Sequence, residues 1–379
     1  MTTTQQLNTA DILGGIHHVT AITSSAQKIY DFFTNILGLR LAKLTVNQDD
    51  YETYHLYFTD EDGNAGTDMT FFDFPGIPQG RHGTDEINRT SFRVPSDESL
   101  RYWKTRFAKA EVKHGNISTR FGKKYLEFED FDGQRYQLIS DENNVGVPAG
   151  QTWQLSNVSP EHAITGLGPV FIKVAESENL KLILKEVFGF REAGTEGYMT
   201  LFEVAEGGNG AAVIVEQSVD EASWQGFGTV HHLALRTKNP ETLKYWIDRI
   251  HSYRLPDSGL VDRFYFSSEY VRVARGVLFE IATDSPGIGA LDMAMSAGQV
   301  DSYEEALMLS GFWVDETKEE AGLGLSLPPH LFPGDEATKA AAAARLRPVD
   351  TSDAGRDRRQ DELWTMKKLL ARKAGEPIN

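Results

Sequence analysis

The chain has 379 residues, no cysteine, and 55 acidic against 38 basic side chains, for a formal net charge of -17. That length can bury a substantial core without staples. The missing cysteines exclude disulfides, thiolate metal sites and cysteine nucleophiles, and the acidic balance makes nucleic acid a poor partner.

The amino terminus, MTTTQQLNTADIL, has neither a basic start nor an apolar run, and no later stretch is long enough to span a bilayer. The expectation is a cytoplasmic protein without membrane contact. From residue 12 onward one pattern repeats, strand, helix, then two or three strands. The first unit runs from HHVTAIT through SAQKIYDFFTNILGLR to YHLYF and TDMTFFDF; the second runs from RTSFRV through SLRYWKTRFAKAEV to KKYLEFEDFDGQRYQLI. The third goes from GPVFIKV through ENLKLILKEVFGFR to YMTLFEV and AAVIVEQ, and the fourth from HHLALRT through ETLKYWIDRIHSYRL to EYVRVARGVLFEIAT. Units one and three end their helices on NILGLR and EVFGFR, where Gly38 and Gly189 suit a left-handed helix stop. Units two and four share LRYWKTRF and LKYWIDRI, whose helical spacing predicts core stripes.

This is an α+β chain of four βαβββ modules. A βαβββ unit leaves one sheet face bare, and joining units in pairs gives two curved mixed sheets, each with a concave cavity. Residues 12–150 hold the first pair of modules and 160–290 the second. Residues 291–379 form a helical and Pro-rich extension, expected to be partly disordered. Within it SYEEALMLSGFW, residues 302–313, predicts one helix, LSLPPHLFPG an extended wrap, and AAAAARLRP with DRRQDELWTMKKLLARKAG short helices or disorder.

Chemistry concentrates in two histidine doublets. In GIHHVT, His18 shares a strand face with Ile16 and Thr20 while His17 faces the other way; in VHHLAL, His232 groups with Val230 and Ala234, opposite His231. Only one member of each doublet can point into a cup. Glu280 lies among Leu278, Phe279 and Ile281, where an ionised carboxylate is costly without a cation or donor. Two imidazoles and one carboxylate form the facial triad of iron(II) oxygenases, although catalytic zinc also takes two histidines and a glutamate. The bland reading is that the doublets bond to backbone and Glu280 pairs with Arg272 or Arg275. Because only units one and four begin with histidines, those two must share the metal cup. Units two and three then offer Thr90 and Gly168 or Val170, with Gln137 and Glu216 at the carboxylate positions. In unit one that position falls near Thr70, so no second carboxylate joins the three ligands there.

GIHHVTAI, LGLRLAKLTVNQDDYETYHLYFTDEDGNAGTDMTFF, RFGKKYLEFEDFDG, VHHLALR and SSEYVRVARGVLFEIATDSPG resemble ring-cleaving dioxygenases of the vicinal oxygen chelate superfamily, in its hydroquinone-type branch. The resemblance covers about residues 12–290, and LPPHL near 327 is similar to that branch's tail. It implies iron(II), with manganese(II) as the other choice, held by His18, His232 and Glu280. It also implies His17, Thr20 and His231 around those ligands, and Arg263 and Tyr270 beside a small aromatic substrate that reacts with O₂. Tyr270 would hydrogen-bond the reacting oxygen, Arg263 balance charge on the distal ring oxygen, and His17 or His231 shuttle a proton. Phe71 or Phe72 would line the pocket. A glyoxalase-like lyase or isomerase and a non-catalytic binder of the same fold are the other readings, and a homo-oligomer stays open.

Overall fold

The computed structural model describes residues 12–329 together with 340, 343, 344, 346 and 349–351. Unit one comprises β1 Ile16–Ile22, α1 Ala26–Asp31 continued by a π-turn over Phe32–Ile36, β2 Arg40–Asn47, β3 Asp50–Thr59 and β4 Asp68–Asp73. Unit two comprises β5 Glu86–Val94, α2 Asp97–Lys109, β6 Ser118–Arg120, β7 Lys123–Glu129 and β8 Arg135–Ser140. Unit three comprises β9 Leu167–Val174, α3 Ser177–Glu186, β10 Arg191–Glu196, β11 Met199–Glu203 and β12 Ala212–Gln217. Unit four comprises β13 Thr229–Thr237, α4 Pro240–Ser252, β14 Val261–Asp262, β15 Ser267–Ala274 and β16 Val277–Thr283.

The helices start where side chains can satisfy the first backbone amides. Ser96 caps α2 by accepting from Ser99 N, and Asn239 with Thr242 closes a capping box on α4 behind Pro240. Gly38 and Gly189 end the helices of units one and three at φ 75° and 74°, a conformation open to glycine. Leu100, Trp103 and Phe107 of α2, like Leu243, Trp246 and Ile250 of α4, are fully buried, so both aromatic stripes belong to the core. Burial of each contributes roughly 1.5–3 kcal/mol.

Two eight-stranded sheets result. One has the order β14-β15-β16-β13-β1-β4-β3-β2 and the other β10-β11-β12-β9-β5-β8-β7-β6. Units one and four therefore share a sheet, and units two and three share the other, as the histidine distribution requires. In the first sheet β1 and β13 meet antiparallel with Thr20 opposite His232, while β4 and β16 flank them in parallel. Register refines the comparison of the units. Glu280 pairs with Ala234, two residues beyond His232, and Thr70 pairs with Thr20, two beyond His18. In the second sheet Gln137 pairs with Ser91 and Ile214 with Phe171, so Arg89 and Pro169 occupy the histidine positions. Thr90 and Gly168 or Val170 do not, because each lies one residue away and so on the opposite strand face. Gln137 keeps its expected place, whereas Glu216 lies two residues past the carboxylate position and approaches Lys173 at 3.7 Å.

The chain beyond 285 packs against the first sheet through α5 Ile288–Ser296 and α6 Tyr303–Ala306. The single helix expected over 302–313 is broken: α6 has one turn, and a 3-10 turn follows at Gly311–Trp313. Gly311 lies at this break with its backbone so close to the Tyr265 carbonyl that no side chain would fit there. Lys43 of β2 is fully buried, with Nζ 2.8 Å from Asp315 Oδ1 and 2.6 Å from Glu316 Oε2. Leu325 then bridges Leu44 in parallel and Ser326 N donates to Leu44 O at 2.8 Å, so this part of LSLPP wraps along β2. The rest of LSLPPHLFPG from His330, most of AAAAARLRP and all of DRRQDELWTMKKLLARKAG lie outside the described residues. Among the described residues no helix is long and apolar enough to cross a membrane.

Candidate metal centre and aromatic cavity

Alternation along β1 and β13 aims His18 and His232 into the concave face of the first sheet, where β16 adds Glu280. The three side chains are 1%, 3% and 0% exposed. His18 Nε2 and His232 Nε2 lie 3.2 Å apart, and Glu280 Oε2 is 3.1 Å and 2.9 Å from them. Despite these distances Glu280 Oε2 makes no hydrogen bond of acceptable geometry. Its second oxygen accepts from Ser268 Oγ at 2.5 Å. Glu280 therefore does not pair with Arg272 or Arg275.

The remaining atoms of the first doublet fix its protonation. His17 Nε2 lies 3.1 Å from Thr283 O, and a carbonyl only accepts, so the proton sits on that nitrogen. Burial first, and then the neighbouring His18 imidazole, hold the His17 pKa far below its ordinary value, so the ring is neutral and its Nδ1 is bare. His18 Nδ1, 2.9 Å away, must donate to it. His18 Nε2 is thereby left with its lone pair directed at Glu280 and His232. The second doublet repeats the contact, His231 Nδ1 to His232 Nδ1 at 2.8 Å, with the His231 pKa lowered to about 3, first by burial and then by His232. Three buried lone-pair atoms converging this closely repel one another unless a cation lies among them, so the donor set fits a divalent metal.

A cavity of about 500 Å³ opens on this cluster, lined among others by His55, Tyr57, Phe72, His231, Arg263 and Tyr270. Phe72 faces it, whereas Phe71 turns into the core against Phe33 at 4.9 Å. Tyr270 pairs with Glu280 across β15 and β16, and its ring meets that of His232 edge-on at 5.6 Å. Burial, and then the Glu280 charge, push the Tyr270 phenol above its ordinary pKa, so it keeps its proton. Arg263 Nε donates to Tyr270 Oη at 3.2 Å, and its two terminal nitrogens clamp Asp49 at 3.1 Å and 2.8 Å. Burial alone would lower the Arg263 pKa, but Tyr270 and Asp49 raise it further, so the guanidinium stays charged. Asp49 is thus the ion-pair partner of Arg263.

Thr20 joins a hydrogen-bonded chain that sequence reasoning did not single out. Its Oγ1 lies 2.9 Å from His232 Nε2 and 2.7 Å from Thr70 Oγ1; Thr70 in turn meets His55 Nε2 at 2.9 Å, and His55 Nδ1 meets Tyr57 Oη at 2.9 Å. Burial first, and then the nearby His18 imidazole, hold the His55 pKa well below its ordinary value. The signal was present in YHLYF, where His55 and Tyr57 share one face of β3. Gln48, whose side-chain nitrogen donates to Arg263 O at 2.6 Å, and Asp49 come from the β2–β3 turn, which no periodicity marks.

Comparison with known proteins places the chain in a family. Residues 15–138 match the Glyoxalase/Bleomycin resistance protein/Dioxygenase superfamily. The chain is 37% identical over 343 residues to the Bacillus subtilis protein named "Putative ring-cleaving dioxygenase MhqA", a span covering 89% of this chain and 99% of that one. It is 29% identical over 328 residues to a Sphingobium indicum chlorohydroquinone/hydroquinone 1,2-dioxygenase, covering 84% and 92%. Among solved structures, a Bacillus subtilis "putative dioxygenase" superposes with a TM-score of 0.76 at 32% identity, covering 90% of this chain and 98% of that one. The chain belongs to the ring-cleaving dioxygenases of this glyoxalase-like superfamily.

Proposed function

We propose that the protein opens the ring of a hydroquinone with O₂, using iron(II) held by His18, His232 and Glu280. The observation that carries this reading is the three-ligand cluster at the bottom of an aromatic-lined cavity, with Thr70 where a second carboxylate, a fourth ligand, would stand. The similarity to a chlorohydroquinone/hydroquinone 1,2-dioxygenase supports the substrate class. A metal with only three protein ligands keeps positions open at which a phenolic oxygen and O₂ can meet.

The side chains around it divide the remaining work. Phe72 and Tyr57 offer ring faces for a flat substrate, and the Arg263 guanidinium balances negative charge on the ring oxygen remote from the metal. Tyr270 accepts from Arg263 and so holds its own proton toward the reacting oxygen. His17 and His231 hold the ligand histidines in the tautomer that leaves Nε2 bare. The chain from Thr20 through Thr70 to His55 and Tyr57 offers a route by which a proton reaches the site from the opposite strand.

In an oxygen electrode, the iron(II)-loaded protein is expected to consume one O₂ per ring opened with hydroquinone or its chloro and methyl derivatives. Turnover without O₂ would instead mark a lyase or isomerase, and catechol cleaved in preference would reassign the substrate. Loading with manganese(II) in parallel decides the metal. Removal of the His17 acceptor in His17→Leu is expected to weaken metal affinity about 10- to 100-fold. Activity at saturating metal should change far less, which titration with a fluorescent chelator and kcat measured side by side will show.

A further inference from the structure

Glu269 is a second buried carboxylate, and the reaction does not use it. It neighbours Ser268 and Tyr270 on β15, but alternation turns it to the other face, against which α4 packs. Its side chain is fully buried, and neither carboxylate oxygen has a hydrogen-bond partner among the described residues. Such a group is costly to keep. Burial, then Asp257 and Asp248, push its pKa up to about 8.

What faces it is a pair of potential metal ligands. His251 lies in the last turn of α4, and Asp257 lies in the following loop, which bridges Val271 of β15. His251 Nε2 is 2.8 Å from Asp257 Oδ1. One ligand atom from each of His251, Asp257 and Glu269 falls within 4.8 Å of the other two. His251 is exposed on its outer side, so water can complete a coordination shell there. One imidazole and two carboxylates suit a divalent transition ion of the zinc class better than calcium or magnesium, which take oxygen alone.

We propose that His251, Asp257 and Glu269 form a second divalent-metal site, separate from the cavity, that clasps the end of α4 and the loop after it to β15. The ion would neutralise the stranded Glu269 carboxylate. It would also fix the strand whose opposite face presents Ser268 to Glu280 and Tyr270 to the cavity.

The test is to count Zn²⁺ bound by the full chain after equilibrium dialysis. The wild type is expected to hold one equivalent more than either His251→Ala or Glu269→Gln. His18→Ala should lose the cavity ion and keep this one. His251→Ala removes an exposed side chain, so its fold is safe, and Glu269→Gln conserves volume. The proposal fails if either variant binds as much Zn²⁺ as the wild type.

Discussion

Glu280→Gln is expected to lower metal affinity about 100-fold, as measured by metal retained on dialysis, and to cut O₂ uptake in proportion. A four-ligand zinc site gains roughly 10–16 kcal/mol, or about 3 kcal/mol per ligand, which corresponds to the loss of one charged oxygen donor. A specific contrast separates this from simple damage. Glu280 Oε2 sits 3.1 Å and 2.9 Å from two imidazole nitrogens without a hydrogen bond of acceptable geometry. A glutamine amide can donate to those bare nitrogens, so the metal-free variant should melt no lower than the metal-free wild type. A variant that loses metal and also melts lower would show that Glu280 chiefly supports the fold.

Tyr270→Phe is expected to reduce kcat about 100-fold while leaving metal content unchanged, the usual scale for losing a positioned proton donor. The Tyr270 hydroxyl is the one cavity donor that is anchored by a guanidinium and also paired with the carboxylate ligand's strand position. Its raised pKa keeps it protonated throughout the neutral range. Deleting the hydroxyl leaves the ring against His232, so packing persists and the loss falls on the chemical step. Metal loss in this variant, with kcat intact at saturating metal, would assign Tyr270 a supporting role.

The repeat and its histidines made the architecture legible before any coordinates. Doublets opening units one and four demanded that these units share a sheet, and β1 beside β13 answers that demand. Period-2 alternation limited each doublet to one inward histidine. It could not reveal how the outward one acts, because the His17 to Thr283 bond joins positions 266 residues apart. Register within the second sheet was illegible for a related reason. Adjacent strand residues differ by a single position, and no residue marks that offset between units, so Arg89 and Pro169 were hidden behind their neighbours. Asp49 and Gln48 escaped because a turn side chain carries no period.

Nesting units two and three between one and four has a consequence for biosynthesis. His18 leaves the ribosome 214 residues before His232. At about 5–20 residues per second, β1 waits roughly 10–40 s for the strand that will cover its edge. During that interval the second sheet can form by itself from adjacent units, whereas the first strands carry an unpaired apolar edge open to association. The half of the molecule that carries the His18, His232 and Glu280 cluster is thus the last to close, with its edge exposed in the meantime.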